Sequence, residues 1–216
     1  MTKLSPQMLL EAYRLGFFPM AEARDSDSLM WVRPEERGVF PLNAFHIPRS
    51  LRKVLRQDRF HVRTDTAFGE VLRLCGSKDA GREETWINKE IARAYGSLHE
   101  MGYAHSVECW RDGRLVGGLY GVAINGAFFG ESMFSLETDA SKVALCHLVA
   151  RLKFGGYHLL DTQFLTPHLQ RFGGVAIPAS EYEDRLVEAL RLKGDFHALP
   201  AQTSGSSIVQ SITQTS

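Results

Sequence analysis

From residue 104 the chain alternates apolar and polar side chains at period two through AHSVECW, the pattern of a half-buried β-strand. Asp112-Gly113 follows, a pair that tolerates positive φ and so favours a tight hairpin turn. RLVGGLYGVAI, a second turn at Asn125-Gly126 and AFFGESMF complete a predicted three-stranded antiparallel meander. The period then lengthens. In ASKVALCHLVARL, Leu145, Leu148, Val149 and Leu152 form a helical stripe, with Asp139 as the predicted cap and Gly155-Gly156 as the stop. YHLLDTQFL returns to a strand. The order βββ-α-β predicts an α+β unit, one sheet with helices against it.

The N-terminal half reads differently. Ser5-Pro6 opens a capped helix through Leu9, Leu10 and Tyr13 that stops at Gly16. Residues 17–45 carry Pro19, Pro34 and Pro41 and are expected to be mostly loop. Pro48 opens a helix over RSLRKVLRQ. Further helices are expected near 65–75, ending at Gly76, and 88–101, capped by Asn88. After Ala198 no charged residue occurs, and 11 of 19 residues are Ser, Thr or Gln, so 198–216 is expected to be disordered.

Composition changes this picture in one place. The 216 residues are 44% hydrophobic, enough for a substantial core, and 25 basic residues balance 25 acidic ones. Bulk charge therefore points to no polyanionic partner. Residues 46–63, however, hold six basic residues and one acid, a local charge of +5. Arg49, Arg52, Lys53 and Arg56 fall on one helix face, with Leu51, Val54 and Leu55 on the other. Such a face attracts phosphates; it is also what a solvated helix face looks like. No apolar run approaches the roughly 20 residues that span a bilayer, and the first residues lack a signal-peptide pattern, so a cytoplasmic location is expected. Three widely spaced cysteines suggest neither zinc nor disulfides. The eight histidines form no metal motif, and no metal or cofactor is expected.

Two strands carry candidate chemistry. In LLDTQF, alternation places Asp161 and Gln163 on one face with Leu159 and Leu165, so a carboxylate and a carboxamide stand in apolar surroundings. Such a pair can orient an amine, or simply satisfy a loop. In FFGESMFS, Glu131 shares its predicted face with Phe129 and Met133, and Gly130 leaves room for a ligand, although a cross-strand ion pair would account for the acid equally well. Phe134 stands where a nucleophile elbow would need glycine, and no P-loop or dinucleotide fingerprint occurs. Trp31, Trp86, Trp110 and Tyr120 fall in or beside predicted elements, where core packing competes with a ligand-binding role. Trp31, in the Pro-rich segment, is the best of them for stacking on a base or side chain. His105 and His168 are acid–base candidates that rank below structural histidines.

Taken in order, AYRLGFFPM, WVRPEERGVFPL, FHIPRSLRK, TWINKEIARAY, LHEMGYAHSVECW, LVGGLYGV, FFGESMFS, DASKVAL and LLDTQF resemble the leucyl/phenylalanyl-tRNA–protein transferase family over most of residues 9–178. The resemblance implies a GNAT-like catalytic domain (63–197) after a small N-terminal domain (1–62). It implies transfer of Leu or Phe from aminoacyl-tRNA to proteins beginning with Arg or Lys, marking them for degradation. Asp161 and Gln163 match the family's catalytic D-x-Q pair, and Glu131 the acid that handles the cationic N-terminus. Trp31, Tyr120 and Met133 match positions around the cleft, with Phe129 and Leu159 as further candidates for the apolar donor pocket. The basic helix fits the acceptor arm of Leu-tRNA or Phe-tRNA. Ala179 departs from the family's usual arginine, and Leu136 from a frequent basic residue. An acetyl-CoA-dependent transferase and a non-catalytic tRNA- or degron-binding module remain alternatives.

Overall fold

The computed structural model describes residues 4–21, 28–77 and 85–214. The meander forms as predicted: β5 (Ala104–Arg111), β6 (Arg114–Ile124) and β7 (Ala127–Ser135) pair antiparallel. Asp112 and Gly113 both take positive φ, 49° and 74°, in the first turn, and Asn125 takes 54° in the second. Helix α5 (Ala140–Phe154) then crosses over to β8 (Leu159–Gln163), which lies parallel to β7. Asp139 occupies the cap position of α5 without capping it; its carboxylate instead meets Lys142 Nζ at 2.6 Å.

The segment expected to be loop is largely strand. β1 (Phe18–Ala21) and β2 (Leu29–Val32) form a separate two-stranded ribbon, with Pro19 opposite Trp31. β3 (Glu36–Phe40) enters the main sheet beside β8, and β9 (Val175–Pro178) pairs with the far edge of β3. With β4 (His61–Thr64) the sheet has seven strands among the described residues, ordered β4-β5-β6-β7-β8-β3-β9. Short strands flanked by prolines carry little period-two signal, so the sequence pattern alone predicts a loop here. β3 approaches the end of β8 closely: a Cβ on Gly38 would lie 2.7 Å from both Phe164 C and Thr162 Oγ1, so only glycine fits. The boundary expected at 62/63 falls inside β4, and β3, from the segment before it, belongs to the main sheet.

Helices cover both faces. On one lie α5, α2 (Arg49–Arg56) and α8 (Gly205–Thr213), around Leu51, Leu55, Leu145, Leu148, Val149 and Leu152. On the other lie α1 (Pro6–Arg14), α3 (Phe68–Cys75), α4 (Lys89–Glu100) and α7 (Ala179–Arg191), around Leu9, Tyr13, Val71, Ile91, Tyr95 and Leu186. Ser5 and Asn88 cap α1 and α4 as predicted, accepting from Met8 N at 3.2 Å and Ile91 N at 2.8 Å.

Helix α8 corrects the expectation of a disordered tail. Ser204 caps it, Gly205 N donates to Asp58 Oδ1 at 2.6 Å, and Gly205 leaves no room for a Cβ against Leu55 of α2. Ile208, Val209 and Ile212 are buried against α2 and α5. Three apolar residues on one helix face are enough to dock a segment whose average composition is polar.

Candidate active site

The parallel pairing of β7 with β8 covers only Ala127–Phe129 and Leu159–Asp161. Beyond it the two strands are no longer paired, and a cavity of about 430 Å³ is lined from both: Gly130, Glu131, Ser132 and Met133 on one side, Leu160, Thr162, Gln163 and Phe164 on the other. The rest of the wall is mostly apolar, including Phe40, Trp86, Leu119, Leu145 and Leu148.

Two backbone irregularities decide which side chains enter. The β6–β7 register shifts between Tyr120/Ser132 and Gly121/Gly130, leaving Glu131 as an extra residue in a β-bulge. Face alternation therefore inverts across it. Phe129 packs with the α1–α4 core, whereas Met133 packs toward the α5 core, opposite to the shared face expected from sequence. At the end of β8, Gln163 takes φ 63°, a left-handed conformation costly for a non-glycine residue. Its backbone N–H donates to Asp161 Oδ1 at 2.7 Å, which holds that turn.

Glu131 is the centre of the polar wall. Tyr13 OH donates to its Oε1 at 2.6 Å, Tyr95 OH to its Oε2 at 3.0 Å and Gln163 Nε2 to its Oε1 at 2.8 Å. The Tyr13 and Tyr95 hydroxyls also touch each other. Burial raises the pKa of Glu131 to about 7; the tyrosine hydrogen bonds oppose this, and Asp161 adds to it. Burial and the neighbouring carboxylate hold both tyrosines well above their ordinary range, so they are donors.

Asp161 lies behind this wall, fully buried. Arg37 reaches it through Nε at 2.9 Å to Oδ1 and Nη2 at 2.6 Å to Oδ2, Tyr182 OH donates to Oδ2 at 2.8 Å, and Gln163 N completes the set. Arg37 also donates to Gly16 O at 2.8 Å and lies over the rings of Phe18 and Tyr182. Burial opposes the charge of Arg37, but Asp161 outweighs it and the guanidinium pKa is raised.

Of the residues singled out from sequence, Glu131, Gln163, Tyr120, Met133 and His168, the last on the short helix α6 (Pro167–Gln170), line the cavity. Asp161, Phe129 and Leu159 are buried outside its wall, and Trp31 is 40% exposed on β2. Its ribbon partner strand contributes Met20 to the cavity instead, and Trp86, read as possible core, is part of the wall. Tyr13, Tyr95, Arg37 and Tyr182 were missed because nothing local marks them; they reach the site from α1, α4, β3 and α7. Arg49, Lys53 and Arg56 are exposed on α2, while Arg52 is half-buried and donates to Ile47 O at 2.8 Å.

The sequence matches the model of the leucyl/phenylalanyl-tRNA protein transferase family over residues 39–187, and that of the family's N-terminal domain over residues 2–35. The chain belongs to this family. It is an aminoacyltransferase, which decides against the acetyl-CoA and binding-module alternatives. Among its relatives, the leucyl/phenylalanyl-tRNA–protein transferase of Maricaulis maris is 57% identical over 208 residues, 96% of each chain. That of Phenylobacterium zucineum is 52% identical over the full length of both. The fold is also similar to the crystal structure of FemX, with a TM-score of 0.51 and 12% identity over 79% of this chain and 66% of that one. The family's two sequence models meet between residues 35 and 39, where the chain leaves the β1–β2 ribbon and enters β3.

Proposed function

We propose that this transferase moves Leu or Phe from aminoacyl-tRNA to the α-amine of proteins that begin with Arg or Lys, in the cytoplasm, marking them for degradation. The observation that carries this reading is the hydrogen-bonded Glu131–Gln163 pair on one wall of an otherwise apolar cavity. The parting of β7 from β8 is the feature that supports a GNAT-like catalytic body, with the β1–β2 ribbon and α1 as the smaller N-terminal part.

The donor is an ester and needs no enzyme nucleophile. The α-amine attacks its carbonyl carbon; a C–N bond forms, the bond to the ribose oxygen breaks, and the proton lost by nitrogen ends on that oxygen. With a reference pKa of about 7.7–8.0, a useful fraction of the amine is already neutral near pH 7. The chain's contribution is alignment, which in good cases supplies roughly 7–11 kcal/mol. Gln163 donates through Nε2 to Glu131, so its Oε1 is left to accept from the amine. Glu131 provides the counter-charge for an arginine or lysine side chain. The leucyl or phenylalanyl group lies against Leu119, Met133, Leu145 and Leu148, where flexible Met133 suits both shapes. Asp161 acts as a positioning residue: its two oxygens already accept from Arg37, Tyr182 and Gln163 N, so it fixes the Gln163 turn rather than taking a proton. The exposed basic residues of α2 hold the tRNA acceptor arm.

The test supplies charged Leu-, Phe- and Met-tRNA and peptides beginning with Arg, Lys or Ala. Lengthened Arg and Lys peptides from Leu- and Phe-tRNA are expected, with Gln163→Ala lowering kcat while tRNA binding persists. Equal transfer to the Ala peptide would refute the assignment of Glu131; full activity in Gln163→Ala would refute that of Gln163.

A further inference from the structure

Outside the lining of the transfer cavity, where β4 ends against β5, three side chains converge from separate parts of the chain: Asp65 just after β4, His105 on β5 and His197 after α7. Their candidate ligand atoms all lie within 4.8 Å of one another. None of the three lines the cavity. We propose that Asp65, His105 and His197 bind a divalent transition-metal ion of the zinc class, which pins the C-terminal segment carrying α8 to the sheet.

Two imidazoles and one carboxylate form a mixed nitrogen–oxygen set that suits Zn²⁺ rather than Mg²⁺ or Ca²⁺, which prefer oxygen ligands. With neutral imidazoles the set carries one negative charge, so a divalent ion is not repelled. Both rings face the same carboxylate oxygen: His105 Nδ1 lies 2.8 Å and His197 Nε2 3.4 Å from Asp65 Oδ2. Two ligands on one tetrahedral zinc stand about 3.4 Å apart at bond lengths of about 2.0–2.1 Å. His197 already meets this spacing, and His105 must move away by roughly 0.5 Å. The surroundings hold the ligands as an outer shell would. Ser106 N donates to Asp65 Oδ1 at 2.8 Å, and the His105 ring is stacked on Phe196 at 4.1 Å. His99 stays outside the set: its Nδ1 lies 4.0 Å from Asp65 Oδ1 and is engaged by Ala104 O at 2.8 Å. His197 is 60% exposed, which provides an entry path and leaves a further coordination position to water. Phe196, next to His197, accepts from Arg151 of α5 at 2.8 Å, so an ion here would brace the segment that leads to α8.

The test uses the full chain stripped with a chelator, then titrated with Zn²⁺ alone against a colorimetric competitor, with Mg²⁺ as the control. Thermal unfolding is read in parallel. One equivalent of Zn²⁺ is expected to bind and raise the melting temperature. His197→Gln should weaken binding about tenfold or more and abolish the thermal shift, and His197→Cys, which keeps a zinc ligand, should restore both. Circular dichroism verifies that each variant is folded, and His197 is exposed enough that this is expected. Binding that is absent, equal with Mg²⁺, or unchanged in His197→Gln would overturn the proposal. None of the three residues lines the cavity, and the readouts are metal binding and melting temperature rather than transfer, so failure here leaves the transferase reading untouched.

Discussion

Replacing Glu131 by Gln should make the protein more stable and a worse enzyme, and the two effects have one cause. The carboxyl has an ordinary value of 4.5 and titrates at about 7 in the folded chain. Between those values the folded state holds a proton that the unfolded state has released, so stability falls as pH rises through this window. At 1.36 kcal/mol per pH unit the full gap is about 3 kcal/mol; the open cavity lets solvent screen the charge, which reduces it to roughly 1–3 kcal/mol. The amide does not titrate, and the hydroxyls of Tyr13 and Tyr95 can accept from its NH₂ as well as donate to its oxygen. Urea unfolding should therefore give similar stabilities at pH 4.5 and a Glu131→Gln advantage of roughly 1–3 kcal/mol at pH 8. Activity runs the other way. A cationic N-terminal side chain favours the ionised carboxylate, so loss of the charge should cost roughly 2–4 kcal/mol, a 30- to 1000-fold fall in kcat/KM for an Arg peptide. In the wild type kcat/KM should rise with pH near 7 from Glu131 and again near 8 from the amine; the variant should keep only the second rise. A variant that is no more stable at pH 8, or that keeps the rise near 7, would refute this account of Glu131.

Arg37→Met should strand the buried Asp161 charge and cost about 3–5 kcal/mol in urea unfolding, with Asp161→Asn in the same chain recovering part of it; equal stability of the single variant and wild type would show that the pair is not the anchor. Changing Arg49, Lys53 and Arg56 together to Gln should lower the salt dependence of tRNA binding by about two to three in the log–log slope, if each meets a phosphate; Arg52 is left in place because it holds Ile47 O. Truncation after Leu199 removes buried Ile208, Val209 and Ile212 and should cost about 2–4 kcal/mol once the ordering of α8 is set against their burial; an unchanged melting temperature would mean that α8 contributes nothing.

What could be read from the sequence was local. The hairpin turns at Asp112-Gly113 and Asn125-Gly126, the caps at Ser5 and Asn88, and the basic face of α2 each depend on residues within about two helical turns of each other. The D-x-Q and G-E-S-M segments were visible for the same reason, but the directions of their side chains were not. Strict alternation puts Phe129, Glu131 and Met133 together and Asp161 beside Gln163. One bulge and one left-handed residue separate both groups, and neither is encoded by a turn signal. The left-handed Gln163 is held by a carboxylate that is itself held by Arg37, a contact across 124 residues. The bulged Glu131 is held by Tyr13, 118 residues away. Tertiary contacts of that separation override local preference and leave no periodic trace in either segment.

These same contacts explain how an expensive arrangement persists. A left-handed glutamine costs on the order of 1–2 kcal/mol, and a carboxylate set in an apolar cavity costs more. Neither would survive alone. The Arg37–Asp161 pair, closed by Tyr182 and Gln163 N, satisfies all the donors aimed at Asp161 and fixes the turn from behind. Tyr13 and Tyr95 supply two neutral donors to Glu131, and the nearby Arg37 charge, which lowers its pKa, is hydrogen-bonded to Asp161 instead, so in the proposed reading the directly bonded cation comes from the substrate. An arginine in their place would pair with Glu131, lower its pKa and occupy the place of the substrate's cation. The neutral tyrosines thus keep Glu131 ordered without a directly bonded cation, and in the proposed reading a basic N-terminus is the ligand whose arrival supplies that charge and overcomes the carboxyl's reluctance to ionise.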